Sequence, residues 1–153
     1  DKTVLVDMVS NSLKIKKSYI ELDEFDHKER QVFNYGHSFG HAIESLTDYA
    51  VPHGIAVSFG MDIANFISVK LGLLPESIRL DIKKLLEDIW AGYDIKNLDL
   101  EKFAKALSKD KKNIGTELQL ILCKGYGKVF KTAQSLDGEF KGWLKDYFLY
   151  ELN

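Results

Sequence analysis

Apolar side chains recur at helical spacing along most of the chain, and the period changes near its C-terminal end. Repeats of three and four residues predict a central helix over 29–47, with further helices before and after it. Between residues 117 and 132 the period falls to two around a glycine-containing turn, which indicates a β-hairpin. We therefore expect a mainly α, multi-helical fold with about six helices and one small β-hairpin. The chain length predicts a single domain over residues 1–153.

Two of the later helical segments differ in how much of their surface is apolar. Segment 54–71 is apolar nearly all round, so it must be buried on most of its surface. Ser58 and Asp62 lie within it, and such polar residues predict a core helix and not a membrane span. The segment between Pro75 and Gly92 has one apolar stripe instead. Its members, all expected to face the core, are Ile78, Ile82, Leu85, Leu86 and Ile89.

The predicted helix 29–47 has an apolar face and a polar face. On the apolar face, Phe39 and Ile43 are expected to be buried. The polar face carries Arg30, Asn34, His37, His41 and Glu44. A face that is only solvated tends to use good helix formers such as Lys, Glu, Gln and Ala, whereas Asn and His are poor ones. This choice of residues favours a chemical role, and we expect His37 and His41 to face a cleft.

Three of the four histidines lie close together in the sequence, at positions 37, 41 and 53. His37 and His41 stand one helical turn apart, so both rings can reach one point above the helix. His53 follows after a turn that could return it to the same place. Such a group suits either a divalent metal ion or proton transfer near neutral pH. A pair of histidines at this spacing is weak evidence by itself, and packing or solvated histidines remain an alternative.

Composition and charge limit the classes of partner. The apolar content of 45% and the aromatic content of 12% are typical of a globular protein. A net charge of −2 gives no basic field, which argues against nucleic acid. Cys123 is the single cysteine, so an internal disulfide is impossible and a reducing cytoplasm is expected. No membrane association is expected.

The histidines belong to a longer and more specific motif. It reads NYGHSFGHAIE at 34–44 and HGIAVSFGM at 53–61. With Lys16 and Arg30 upstream and segments 110–113 and 120–127 downstream, it resembles the 3-dehydroquinate synthases, a branch of the sugar-phosphate cyclases. The resemblance spans nearly all of this chain but only the C-terminal half of the family's fold. It implies a helical metal- and substrate-binding domain, with the N-terminal NAD-binding domain absent from this chain.

The resemblance also implies a reaction and a set of cofactors. Family members convert a seven-carbon sugar acid phosphate into a carbocycle with loss of phosphate, in the shikimate pathway of aromatic amino acid biosynthesis. They use NAD and a divalent metal ion, Zn²⁺ or Co²⁺. By matching position, His37 and His53 would bind the metal, and His41 and Lys16 would be catalytic. The residues implied to bind substrate are Lys16, Arg30, Asn34, His41 and one of Lys111 and Lys112.

The chain departs from the family in two respects. The third metal ligand of the family is an acidic residue before the first helix of this chain, and nothing here matches it. We therefore expect this chain alone to bind zinc weakly and to be inactive without its own N-terminal NAD-binding domain. Ile55 also stands where many members have glutamate, which leaves the substrate open. A homodimer is expected for the whole enzyme.

Three classes of function remain open from sequence. The first is a 3-dehydroquinate synthase or another sugar-phosphate cyclase. The second is a group III metal-dependent polyol or alcohol dehydrogenase, but such an enzyme has no need for a basic set of phosphate-binding residues. The third is a non-catalytic helical interaction module, in which metal ions would not change the stability of the protein.

Overall fold

A computed structural model describes residues 1–25, 28–110, 113 and 117–152 of the chain. The chain divides into two compact units, Asp1–Phe33 and Asn34–Asn153. The prediction of a single domain over 1–153 stays a prediction. No helix in the described part of the chain combines the length and the apolar character that crossing a membrane requires.

The first unit is built on one long helix, α1, which spans Lys2–Leu22. The Asp1 carboxylate caps it by accepting a hydrogen bond from the amide of Thr3 at 2.8 Å. After the helix, the buried carboxylate of Asp23 accepts hydrogen bonds from the amides of Lys28 and Arg30, at 2.7 and 3.1 Å. These bonds hold the start of a short 3₁₀ helix at Glu29–Asn34.

The central helix predicted over 29–47 is not continuous, so that prediction was wrong. The 3₁₀ helix ends at Asn34, and α2 begins at His37 and ends at Leu46. Gly36 separates them because its φ of 78° lies in the left-handed region, which an α-helix cannot accommodate. Arg30 and Asn34 therefore do not share a helix face with the histidines. The expected burial of Phe39 and Ile43 is confirmed, since they are 1% and 0% exposed.

The second unit contains the other helices and the hairpin. The helices are α2, α3 (His53–Lys70), α4 (Glu76–Trp90), α5 (Leu100–Ser108) and α6 (Gly138–Asp146), which continues into a π-helical turn at Tyr147–Glu151. Strands β1 (Glu117–Cys123) and β2 (Val129–Ser135) pair antiparallel, with Leu120 opposite Thr132. The predicted mainly α fold with one β-hairpin is confirmed. Helix α3 is buried along most of its length, as its all-round apolar pattern predicted.

Helices α2 and α3 pack closely because glycines lie between them. A Cβ atom on Gly60 of α3 would stand 2.1 Å from the carbonyl oxygen of Gly36. A Cβ atom on Gly40 of α2 would stand 3.0 Å from the Cα atom of Val57. Real Cβ atoms do not approach backbone so closely, so side chains at Gly36 and Gly60 would push the helices apart. This contact holds the start of α2 in a fixed position against α3.

A buried ionic network connects α3, α4 and the C-terminal turn. Arg79 and Asp62 are both 0% exposed, and the guanidinium donates two hydrogen bonds to the carboxylate, at 3.2 and 3.1 Å. Arg79 also donates to Glu151 at 2.8 Å and to Glu76 at 3.2 Å. The hydroxyl of Tyr147 donates to Asp62 at 2.9 Å. Each buried charge therefore has hydrogen-bonded partners of opposite charge or polarity.

Because of this network, α4 turns a different face toward the core from the one that the sequence predicted. The buried residues of α4 are Arg79, Leu86 and Trp90. Leu85 and Ile89 are 70% and 52% exposed, so their predicted place in the inward stripe was wrong. The physical reason is Asp62, because its buried carboxylate draws Arg79 into the core and thereby sets the rotation of the helix.

Candidate metal and substrate site

Helices α2 and α3 bring three imidazole rings together. His37 and His41 lie on α2, and His53 is the first residue of α3. Their ring centres are 5.6 Å apart for His37 and His41, 5.3 Å for His37 and His53, and 5.9 Å for His41 and His53. His37 is half-buried, and the other two rings are exposed. The chain therefore returns His53 to the helix pair, as the sequence predicted.

Hydrogen bonds define the tautomers of His37 and His53. The Nδ1 atom of His37 lies 3.2 Å from the carbonyl oxygen of Tyr35, which can only accept a hydrogen bond. The Nδ1 atom of His53 lies 3.1 Å from Oε1 of Glu44, and an ionised carboxylate also only accepts. Both Nδ1 atoms must therefore carry the proton. In the neutral ring of His53 this leaves the Nε2 lone pair for a metal ion, which is the usual arrangement at histidine ligands.

Glu44 is the residue that sequence reasoning missed. It lies on the polar side of the predicted helix, where a glutamate is expected to be solvated, but it is only 8% exposed. The ligand atoms of His41, Glu44 and His53 all lie within 4.8 Å of one another. Two imidazoles and a carboxylate form a donor set that suits zinc or cobalt. The available signal was its spacing from His41, because residues three positions apart are neighbours on a helix surface.

A cleft of about 420 Å³ opens beside His41. Helix α2 lines it with Ser38, His41 and Ser45, and the end of α5 contributes Lys109 and Asp110. Its described lining includes His41 but not His37. The cleft thus places one imidazole and one lysine beside a space large enough for a small anionic group. The imidazole and the lysine ammonium group can form charge-assisted hydrogen bonds with phosphate or carboxylate.

The remaining site residues lie elsewhere in the chain. Lys16 is exposed on α1, and Arg30 donates a hydrogen bond from its guanidinium to the carbonyl oxygen of Glu24 at 2.9 Å. Asn34 is half-buried at the end of the 3₁₀ helix. Lys111 and Lys112 lie outside the described residues. Convergence of these side chains on the cleft of His41 therefore stays a prediction.

Comparison with known proteins identifies the relatives of this chain. The family described as 3-dehydroquinate synthase C-terminal matches residues 1–113. The chain is 37% identical over 125 residues to the 3-dehydroquinate synthase of Dehalococcoides mccartyi (strain CBDB1), covering 82% of this chain and 35% of the relative. It is 37% identical over 139 residues to that of Helicobacter pylori (strain P12), covering 90% of this chain and 40% of the relative.

A solved structure supports the same relationship. It is a 2-deoxy-scyllo-inosose synthase complexed with carbaglucose-6-phosphate, NAD⁺ and Co²⁺, with a TM-score of 0.66 and 29% sequence identity. The match covers 81% of this chain and 36% of that protein.

Fold and sequence together define a C-terminal domain of the sugar-phosphate cyclase family. The chain belongs to the 3-dehydroquinate synthase family, as the motif around the histidines predicted. It spans only 35% and 40% of the length of the two curated relatives.

Proposed function

We propose that this chain is the metal- and substrate-binding part of an enzyme that converts a seven-carbon sugar acid phosphate into a carbocycle with loss of phosphate. The observation that carries the proposal is the placement of the Nδ1 atoms of His37 and His53, which lie 3.2 and 3.1 Å from oxygen acceptors. With Nδ1 used in this way, Nε2 is the atom that these rings would offer to a metal ion, and the two ring centres lie 5.3 Å apart. His41 of the same cluster lines the adjoining cleft. The donor atoms fit Zn²⁺ or Co²⁺, and the relatives are named as 3-dehydroquinate synthases.

Each residue of the site has a distinct task in this proposal. His37 and His53 hold the metal ion, which when bound supplies a Lewis acid for a carbinol or carbonyl oxygen of the substrate. His41 lies beside the leaving phosphate and moves a proton at its bridging oxygen. The substrate is held by Lys16, Arg30, Asn34 and one of Lys111 and Lys112.

The rest of the enzyme belongs to segments that this chain does not contain. NAD binding is assigned to an N-terminal domain, and the partner of the site is therefore that domain as well as the sugar acid phosphate. We expect the whole enzyme to be a cytoplasmic homodimer of the shikimate pathway. We expect the present chain to be inactive alone, because neither the NAD-binding residues nor the family's acidic metal ligand is included.

A second sugar-phosphate cyclase activity is the other candidate. The similar solved structure is a 2-deoxy-scyllo-inosose synthase, so the same fold serves another substrate in that protein. Ile55, which is packed against the core in this chain, replaces a residue that is glutamate in many family members. Turnover by the whole enzyme of either the seven-carbon sugar acid phosphate or the substrate of a 2-deoxy-scyllo-inosose synthase would separate these candidates.

Calorimetric titration with Zn²⁺ tests the metal site in this chain. We expect His37→Ala and His53→Ala to remove most of the zinc affinity, because each deletes one Nε2 ligand. His41→Ala decides how the third ring is used, because its ligand atom lies close to those of Glu44 and His53. Retained zinc affinity would leave His41 to the phosphate, and lost affinity would add it to the metal ligands. Zinc binding that persists unchanged in both ligand variants would remove His37 and His53 from the metal site.

A further inference from the structure

The geometry points to Glu44 as a positioning residue for His53. Its carboxylate accepts the Nδ1 proton of His53, and it thereby fixes the tautomer and orientation in which Nε2 meets the metal ion. The inference rests on the proposed function of the histidine cluster, and it adds a residue that coordinates nothing itself. The observation behind it is the Nδ1–Oε1 distance of 3.1 Å between two residues nine positions apart.

The burial of Glu44 makes this contact informative. The side chain of Glu44 is 10% exposed, whereas the side chain of His53 is 57% exposed. Removing a carboxylate from water is costly unless hydrogen bonds compensate for the lost solvation. Among the described residues, the hydrogen-bond partner of this carboxylate is the His53 ring. The chain thus buries a carboxyl group against an exposed imidazole, which serves the orientation of that ring better than it serves stability.

The backbone between the two residues is shaped to make this contact. Asp48 and Tyr49 both have positive φ, 48° and 61°, which non-glycine residues rarely adopt. The amide of Tyr49 donates to the carbonyl of Glu44 at 2.9 Å, and Ala50 donates to Thr47 at 2.9 Å. This tight turn ends α2 and starts α3 so that its first residue faces the Glu44 side chain. Strained backbone of this kind persists only where surrounding contacts hold it.

An outer position for Glu44 fits the hydrogen bonds better than direct coordination. The Oε1 atom already accepts the proton on Nδ1, so the free lone pair of His53 is the one on Nε2. His37 has the same arrangement, with the carbonyl of Tyr35 as its acceptor. A carboxylate acceptor raises the basicity of the imidazole more than a carbonyl does, because it carries a full charge.

The test measures metal affinity in the full 153-residue chain by competition between a chelator and Zn²⁺. Loss of an acceptor behind a histidine ligand lowers metal affinity about 10–100-fold, and we expect this for Glu44→Ala. Glu44→Gln should recover part of the loss, since its amide oxygen still accepts the Nδ1 proton without the charge. Asp48→Asn is the matched control, because it removes one negative charge from the adjacent turn. Circular dichroism of the metal-free variants checks that each is folded.

The visible absorption spectrum of bound Co²⁺ separates positioning from coordination. We expect the Glu44→Gln chain saturated with Co²⁺ to keep the wild-type spectrum, because the ligand atoms are unchanged. A spectrum that changes as it does in His53→Ala would make Glu44 a direct ligand and overturn the positioning role. Equal zinc affinities of Glu44→Ala and Asp48→Asn would also overturn it, while leaving the metal site in place. If His53→Ala bound zinc as tightly as wild type, the proposed function would fail, and the inference would fail with it.

Discussion

Replacing Arg79 with Met should leave the negative charge of Asp62 in the core without its positively charged partner. Arg79 and Asp62 are fully buried, and two hydrogen bonds join them. Burial alone would lower the pKa of Arg79, but the carboxylates of Asp62 and Glu151 outweigh it and raise that pKa. The guanidinium is therefore charged in the folded protein at any ordinary pH. In Arg79→Met, Asp62 would keep only the hydroxyl of Tyr147 as a described hydrogen-bond donor.

The size of the effect follows from this geometry. Removing one partner of a buried ion pair costs about 3–5 kcal/mol, because the other charge is left without compensation. A domain has a net free energy of unfolding of only about 5–15 kcal/mol, so Arg79→Met should lose a large part of it. The double variant Asp62→Asn/Arg79→Met should be more stable than Arg79→Met alone, since the stranded charge has been removed. Most of the cost therefore belongs to the charge and not to the lost packing.

Urea denaturation is the suitable assay, because guanidinium salts screen charges. Fluorescence follows the core through Trp90, whose ring stacks on Phe59 with 4.4 Å between the ring centres. Lys84→Met on the same helix is the matched control, since its ion pair with Asp81 is exposed and should contribute little. A loss below about 1 kcal/mol for Arg79→Met would refute the reasoning, because that is the range of exposed pairs. A double variant no more stable than Arg79→Met would show that the charge of Asp62 is not the cause.

Three further results are expected from other parts of the molecule. Gly60→Ala should lower the free energy of unfolding by about 1–3 kcal/mol or more, because the added methyl group overpacks the contact with α2. Gly142→Ala, where the added Cβ meets open space, should raise it by about 0.5–1 kcal/mol. Thermal denaturation measures both, and equal effects would contradict the helix contact. Burial raises the pKa of Tyr147 well above its ordinary value. The protonated Tyr147 side chain therefore stabilises the protein fully below its pKa in the unfolded state, about 10, and this contribution is lost as pH rises toward its higher pKa in the folded state. The free energy of unfolding measured in urea should therefore fall less steeply with rising pH in Tyr147→Phe. Phosphate at about tenfold its dissociation constant should stabilise the chain by about 1.4 kcal/mol. Arg30→Ala should lose most of this gain. Lys17→Ala should keep it, because Lys17 is an exposed residue of α1 whose ion pair with Glu21 is on the helix surface. Equal responses of the two variants in thermal denaturation would exclude Arg30 as the anion ligand.

The sequence predicted the elements of the fold well because amphipathic periodicity reports which side of an element is buried. It placed the hairpin correctly, and it brought His53 to the histidines of α2. The prediction of a continuous helix failed at Gly36. The apolar period continues across this residue, and periodicity does not report that its φ is left-handed. A single glycine within a helical pattern is often tolerated, so it gave no signal of a break.

Buried charges account for the other failures. Sequence reasoning treats a charged residue on a helix as solvated, which is the common case. Arg79 and Glu44 are exceptions because each has a partner on another helix, Asp62 and His53. No local pattern predicts such pairs, since the pairing depends on how α3 packs against its neighbours. The rotation of α4 and the acceptor behind His53 were therefore visible only in three dimensions.

The glycine contact between α2 and α3 determines how this site could be transplanted. Helices that pack through side chains usually stand about 8–10 Å apart, and their side chains adjust by changing rotamer. Here the carbonyl of Gly36 occupies the place of a side chain on Gly60, so main-chain atoms without rotamers set the spacing. Copying the three histidines onto an ordinary helix pair would reproduce the residue types with the wrong separation between the rings. To move this site into another protein, one would have to move the pair of helices together with its glycines. The histidines on that pair could then be replaced by other side chains.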